Sequence, residues 1–246
     1  MKTYKYLIAV EGFLFGIALF FLRLDYKGGF EQMISQRTYA AYADNYHDSI
    51  DPDDDLSIGN QVSVLMDENR DMIGFITVDG TSIDYPVVRD KTDSEGNYYY
   101  LSHNFEGMED MSGCPFVRRS QSLDDSIITI FAHNNSNGTM FADLSLLDDE
   151  SFYDSNGQIV FDTIEGRRIY EIAAVMDVDI SGSDFTFWGW NNFPYVQTEL
   201  DFIDQINRLS TIKRFELTTG NRYLLLVTCE YTHADGRRIA VAVRTS

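Results

Sequence analysis

Residues 72–88 read MIGFITVDGTSIDYPVV, two apolar runs on either side of Asp79-Gly80. β-Branched and aromatic residues dominate both runs, and an Asp-Gly pair supplies the positive φ that a tight hairpin turn demands. The stretch predicts two antiparallel strands, one from Ile73 to Val78 and one from Ile83 to Val88. The same pattern continues downstream. Ile127 to Ala132 (IITIFA) is an apolar run of buried-strand length. Ile159 to Phe161 and Ile169 to Val178 flank the turn pair Glu165-Gly166, and Tyr223 to Thr228 and Ile239 to Val243 form a last pair. One downstream stretch is strongly helical: in Tyr195 to Ser210, Val196, Leu200, Ile203 and Ile206 recur at helical spacing. Many short strands, few helices and no repeats predict a mainly β fold with peripheral helices, either a closed barrel or a sandwich with one inserted helix.

Upstream of residue 72 the character changes. Residues 28–69 are polar and carry the acidic run Asp51-Pro52-Asp53-Asp54-Asp55. That run lacks the glycine and terminal glutamate of a calcium loop, so a solvated linker or a helix N-terminus is the better reading. Phe30 to Asp48 and Ile58 to Glu68 are expected to form short helices packed outside the main core. Residues 6–22 read YLIAVEGFLFGIALFFL behind Lys2 and Lys5. This is close to the lower length limit of a spanning helix. No small-x-small cleavage pattern follows, so residues 1–27 are expected to be an uncleaved, single-pass membrane anchor with the remainder outside the cell. Glu11, within the run, lies near enough to its Lys5 end to snorkel.

The chain of 246 residues holds 44% hydrophobic residues and a formal charge of −20. The apolar share excludes a wholly disordered chain, and the acidity, with no basic stripe, argues against nucleic-acid binding. Two cysteines, Cys114 and Cys229, are too few for a zinc ribbon or a disulfide scaffold.

Cys229 ends the apolar run Leu224-Leu225-Leu226-Val227-Thr228, a placement that holds a sulfur rigidly at a strand mouth, as a nucleophile requires. The alternatives are a small buried hydrophobe or a disulfide to Cys114. His133 follows another apolar strand and opens the loop Asn134-Asn135-Ser136-Asn137-Gly138-Thr139, where it can serve as acid and base to the thiol. His47, His103 and His233 are the other histidines, and His233 lies just past the cysteine. Arg237 and Arg238 open the last strand, and either can donate paired hydrogen bonds to an oxyanion, at least one being a solvated hairpin charge. Asn134-Asn135-Ser136 and Asn137-Gly138-Thr139 match the glycosylation triplet, a pattern common by chance.

Together these residues resemble a class B sortase, a membrane-anchored cysteine transpeptidase of Gram-positive bacteria. The resemblance runs from about Asn69 to the end. It rests on the opening strands of residues 73–76 and 80–88, on Tyr99-Tyr100-Leu101, on Gly113 to Val117, and on Phe131-Ala132-His133-Asn134 followed by Met140-Phe141-Ala142-Asp143-Leu144. Leu226-Val227-Thr228-Cys229 resembles the TLxTC signature, and Arg238 stands before an apolar strand as the family's arginine does. Leu225 replaces the first threonine of the signature. Tyr231 stands where some members have an acidic residue, so no third catalytic carboxylate is implied. Cys114 is outside the signature and is expected to be a core residue.

The resemblance implies a closed eight-stranded β-barrel with N-terminal helices and a long helix inserted between late strands. Residues 28–68 would be linker and N-terminal helices, and 69–246 the catalytic domain. It implies Cys229 as nucleophile, His133 as general acid and base, and Arg238 as oxyanion and substrate stabiliser. Thr228, Asn134 and the backbone N–H of Glu230 are its candidates for substrate binding. The implied substrates are exported proteins with an NPxTx-like C-terminal sorting motif, joined to an amine of the cell-wall peptide, with no metal or organic cofactor. Three alternatives remain open at this level: a pilin polymerase using a lysine amine, a thiol hydrolase in which water resolves the thioester, and a non-catalytic anchored binding module with a structural Cys229.

Overall fold

A computed structural model describes residues 29–92, 97–181, 185–187, 189–232 and 235–246. The expected anchor falls within residues 1–28, and His233 within 233–234, both outside the described residues. Among the described residues no helix is long and apolar enough to cross a membrane.

The chain is helical over 29–49 (α1) and over Asp55–Glu68 (α2). Strands β1 (Met72–Val78) and β2 (Asp84–Arg89) form the hairpin expected from residues 72–88, with Thr77 opposite Asp84 and Val78 N–H donating to the Ile83 carbonyl. Then come β3 (Phe116–Val117), β4 (Ile127–Phe131), α3 (Glu150–Ser155), β5 (Gln158–Thr163) and β6 (Gly166–Asp179). The chain continues through α4 (Val196–Leu209), a two-residue β7 (Ile212–Lys213), β8 (Tyr223–Cys229) and β9 (Gly236–Arg244).

Neighbouring strands run β5-β1-β2-β3-β4-β8-β9-β6, and β5 pairs again with β6, so eight strands close on themselves while β7 hangs from β6. The barrel is mixed, with β2–β3 and β4–β8 parallel and the other pairs antiparallel. Closure removes the open edges that a sandwich would leave. The parallel β4–β8 pair matters most for function, because it sends the carboxyl ends of two strands to the same rim of the barrel.

The N-terminal helices are part of the core, contrary to the expectation that they pack outside it. Tyr39, Ala43 and Tyr46 of α1 and Ile58, Val62 and Leu65 of α2 are all buried. Tyr46 stacks on Phe75 with ring centroids 4.1 Å apart, and its hydroxyl donates to Asp162 at 2.9 Å. The polar composition of this region hid the buried residues at four- and three-residue intervals, Tyr39, Ala43 and Tyr46, that seat α1 on the sheet. The acidic run does form a helix N-terminus, since Asp54 caps α2 by accepting from Leu56 N–H.

Helix α4 spans the stretch expected to be helical, but its buried stripe is Glu199, Phe202, Ile203 and Ile206. Val196 and Leu200 are exposed. Phe202 sets the rotation: it enters an aromatic cluster with Phe185, Phe187, Phe193 and Tyr223, the last 4.9 Å away. The Glu199 carboxylate on that face is not stranded, because it accepts from Gly220 N–H at 2.8 Å.

Candidate active site

Cys229 is the last residue of β8, and His133 lies two residues beyond β4. Because β4 and β8 are parallel in register (Phe131 opposite Val227), both side chains emerge at one rim. Strand β9 returns beside β8 with Cys229 opposite Arg237 and Thr228 opposite Arg238. Cross-strand partners share a sheet face and successive residues alternate faces. Arg237 therefore lies on the Cys229 face and Arg238 on the other.

A cavity of about 240 Å³ opens at this rim, lined by Cys229, His133, Arg237 and Thr228 together with the apolar residues Leu101, Phe116, Phe131, Ala132, Ile180 and Val227 and the ring of Tyr98. Cys229, His133 and Arg237 are each partly exposed, as reactive groups must be. The structure does not bring Arg238 here. Its Nε and Nη2 donate to Asp177 at 2.8 and 2.7 Å, and its Nη1 to Asp148 at 2.8 Å. The hydrogen bonds to Asp177, reinforced by Asp148, raise its pKa well above the ordinary arginine value and hold it charged. Arg237, its neighbour in sequence, is the arginine that lines the cavity with Cys229.

The histidine ring is oriented by main chain. His133 Nε2 lies 2.7 Å from the Leu101 carbonyl. An acceptor-only partner requires that this nitrogen carry the proton, which leaves Nδ1 as the exchanging nitrogen. Behind the ring, Gly113 has φ +68°, and a Cβ there would lie 3.2 Å from His133 Cδ2 and 2.6 Å from the Tyr100 carbonyl. Only glycine satisfies both conditions. The Gly113 carbonyl accepts from Tyr39 of α1 at 2.7 Å, so the N-terminal helix braces the wall against which the histidine rests.

The three substrate-binding candidates are held in other ways. Thr228 is buried and donates its hydroxyl to the Ala132 carbonyl at 2.9 Å, pinning β8 to the end of β4. Asn134 Nδ2 donates to the Cys229 carbonyl at 3.0 Å, and the Asn134 carbonyl accepts from Tyr231 at 2.8 Å, a brace around the cysteine backbone. The Glu230 N–H donates to the Gly236 carbonyl at 2.9 Å as part of the β8–β9 connection, so it is not available to an oxyanion. The role expected for that N–H is corrected accordingly.

Of the remaining histidines described, His47 pairs with Asp84 at 2.9 Å, and His103 bonds the Tyr99 carbonyl at 2.8 Å while stacking on the Tyr99 ring. Neither lines the cavity. Cys114 is a free, buried core residue, as expected, and burial pushes its thiol pKa up. Cys229 is also a free thiol, so the disulfide alternative is absent from this structure. Sequence reasoning missed the Leu101 carbonyl and the Gly113 wall. No side-chain pattern announces a carbonyl, although the glycine lay within a segment already singled out.

A sortase domain model matches residues 76–245. The chain belongs to the sortase family, class B. Sortase B of Listeria monocytogenes is 27% identical over 187 residues, covering 74% of this chain and 73% of that protein. The crystal structure of Clostridium perfringens sortase B shares 30% identity at a TM-score of 0.67, covering 75% of this chain and 99% of that one. A Staphylococcus aureus sortase B–substrate complex superposes at 0.74 with 23% identity, over 88% of this chain and 99% of that one, a likeness of fold. This sortase is therefore of a cysteine transpeptidase family, on the closed mixed barrel described above.

Proposed function

We propose that this sortase cleaves an NPxTx-like sorting motif near the C-terminus of exported proteins and joins the new carboxyl end to an amine of the cell-wall peptide. The observation that carries the reading is the convergence of Cys229, His133 and Arg237 on one mostly apolar cavity. In the first step Cys229 Sγ, as thiolate, attacks the scissile carbonyl carbon, and the Arg237 guanidinium donates to the oxyanion that develops. Collapse of the tetrahedral intermediate breaks the C–N bond, and His133 Nδ1–H protonates the departing amine. A thioacyl enzyme remains. The incoming amine then attacks the thioester carbonyl, gives its proton to Nδ1, and expels the thiolate as the new amide forms.

In this reading residues 1–27 anchor the chain in the membrane and the catalytic domain faces outward, where both substrates are found. The apolar run of residues 6–22 supports it. The test is intact-protein mass spectrometry of the full-length chain in neutral detergent with a panel of NPxTx-like peptides. A mass gain of one acyl fragment, absent from Cys229→Ala, is expected. Adding wall-peptide amines or free lysine then separates wall anchoring from pilin polymerisation. A free, alkylatable Cys229 that acquires no acyl group from any motif in the panel would overturn the substrate assignment.

A further inference from the structure

The other end of the barrel, where β4 and β6 begin, holds a cavity of about 430 Å³ that shares no lining residue with the active site. Its walls include Arg70, Arg89, Lys91 and Arg119, with Asp71 and Asp90 as the only acids. Four cations around one opening are a local inversion in a chain of formal charge −20.

The two carboxylates are already engaged, and only Asp71 pairs with one of the four cations, Lys91. Asp90 is buried and accepts from Thr92 N–H, the Thr92 hydroxyl and Tyr100 N–H. Asp71 accepts from the Tyr100 hydroxyl at 2.8 Å and stands 3.6 Å from Lys91. Among the described residues, Arg70, Arg89 and Arg119 enter no ion pair, and Arg119 spends one nitrogen on the Lys91 carbonyl at 3.0 Å. Arg89 Nε is buried with no hydrogen-bond partner. A buried guanidinium N–H without an acceptor is uncommon in folded chains, and here the missing partner is an acceptor.

We propose that this cavity binds a phosphate group, as a monoester or diester. Several guanidiniums converging from different strands and loops suit a tetrahedral oxyanion, whose oxygens accept in several directions, better than a planar carboxylate, which one bidentate arginine satisfies. The remaining lining, Met66, Met72, Ile73, Leu123 and Ile164, gives an apolar wall for the organic stem of an ester. A free phosphate ester and a lipid headgroup present the same chemistry, and the experiment separates them.

The test is calorimetric titration of the full-length chain in neutral detergent micelles with pyrophosphate and with glycerol 3-phosphate. A parallel titration uses micelles doped with phosphatidylglycerol against micelles doped with phosphatidylcholine. The wild type is compared with Arg89→Gln and with the double variant Arg70→Gln/Arg119→Gln, whose two positions are exposed. The expected result is saturable binding of at least one phosphate probe, weakened at least tenfold in both variants and weakened further by salt. Binding of glycerol 3-phosphate identifies a free phosphate ester, binding of phosphatidylglycerol alone identifies a headgroup, and binding of pyrophosphate alone overturns the ester assignment. Thermal melting of the double variant at the wild-type midpoint shows that any loss is local. No saturable binding by any probe, or equal binding by wild type and the double variant, overturns the proposal.

Discussion

At the scale of residues, the adjacent arginines of β9 divide two tasks. Arg237 shares the Cys229 face, while Arg238 points away and clamps Asp177 of β6 and Asp148 of the segment that precedes α3. Arg237→Ala is expected to lower kcat for thioacyl formation by 10²–10³-fold, the usual effect of removing one oxyanion donor, with the melting temperature nearly unchanged. Arg238→Ala is expected to do the reverse. Removing one partner of a fully buried ion pair costs about 3–5 kcal/mol; with Asp148 half exposed, on the order of 2–3 kcal/mol is expected here. Urea melts of the two variants beside single-turnover rates separate the roles. A collapse of kcat in a normally stable Arg238→Ala would show that the assignment of the two is inverted. The sequence identified Cys229 and His133 as candidates because each ends an apolar strand. The resemblance points to Arg238; residue types alone do not separate it from Arg237, because faces alternate at every residue and the choice depends on the register of β8 with β9. A slip of one position exchanges the two side chains.

At the scale of elements, the strands were legible and the seat of the first helix was not. The hairpins β1–β2, β5–β6 and β8–β9 follow from turn pairs and apolar runs, which are local signals. The docking of α1 depends on contacts with residues far along the chain: Tyr46 with Phe75 and Asp162, Tyr39 with Gly113, and His47 with Asp84. Tyr46 is completely buried, so Tyr46→Ala is expected to cost about 3–5 kcal/mol, read as a lower denaturant midpoint at unchanged slope. His47 adds a pH dependence. Its hydrogen bond to Asp84 raises its pKa above the ordinary value of about 6.5, against a smaller opposing effect of desolvation. A raised pKa in the folded state means that the stabilisation is fully present below the unfolded value and is lost as pH rises through the folded value. The stability gap between wild type and His47→Gln is therefore expected to be widest below the unfolded value of about 6.5 and to close as pH rises through the raised folded value. A gap that widens with pH would show that the neutral imidazole, not the imidazolium, is the form that Asp84 holds.

At the scale of the whole molecule, cationic groups at both ends of the barrel stand within a strongly acidic chain. The formal charge of −20 surrounds an active rim that presents Arg237 and His133, while the other cationic cavity lies at the far end of the strands. A field of that sign attracts cationic substrates and repels anionic ones over distances comparable to the Debye length, about 30 Å at 0.01 M salt and about 8 Å at 0.15 M. Two donor peptides with the same sorting motif, one flanked by lysines and one by aspartates, meet the same cavity through different long-range fields. At low ionic strength kcat/KM for the lysine-flanked peptide is expected to exceed that of the aspartate-flanked one by about tenfold, the lower end of reported steering effects. Raising salt should slow the first, accelerate the second and bring the ratio toward one, while kcat at saturation stays the same for both. That pattern follows because steering acts on encounter and not on the covalent steps at Cys229. A ratio that persists at 0.5 M salt would mean that the flanking residues touch the protein directly. The preference would then belong to a subsite beside the cavity rather than to the charge of the barrel as a whole.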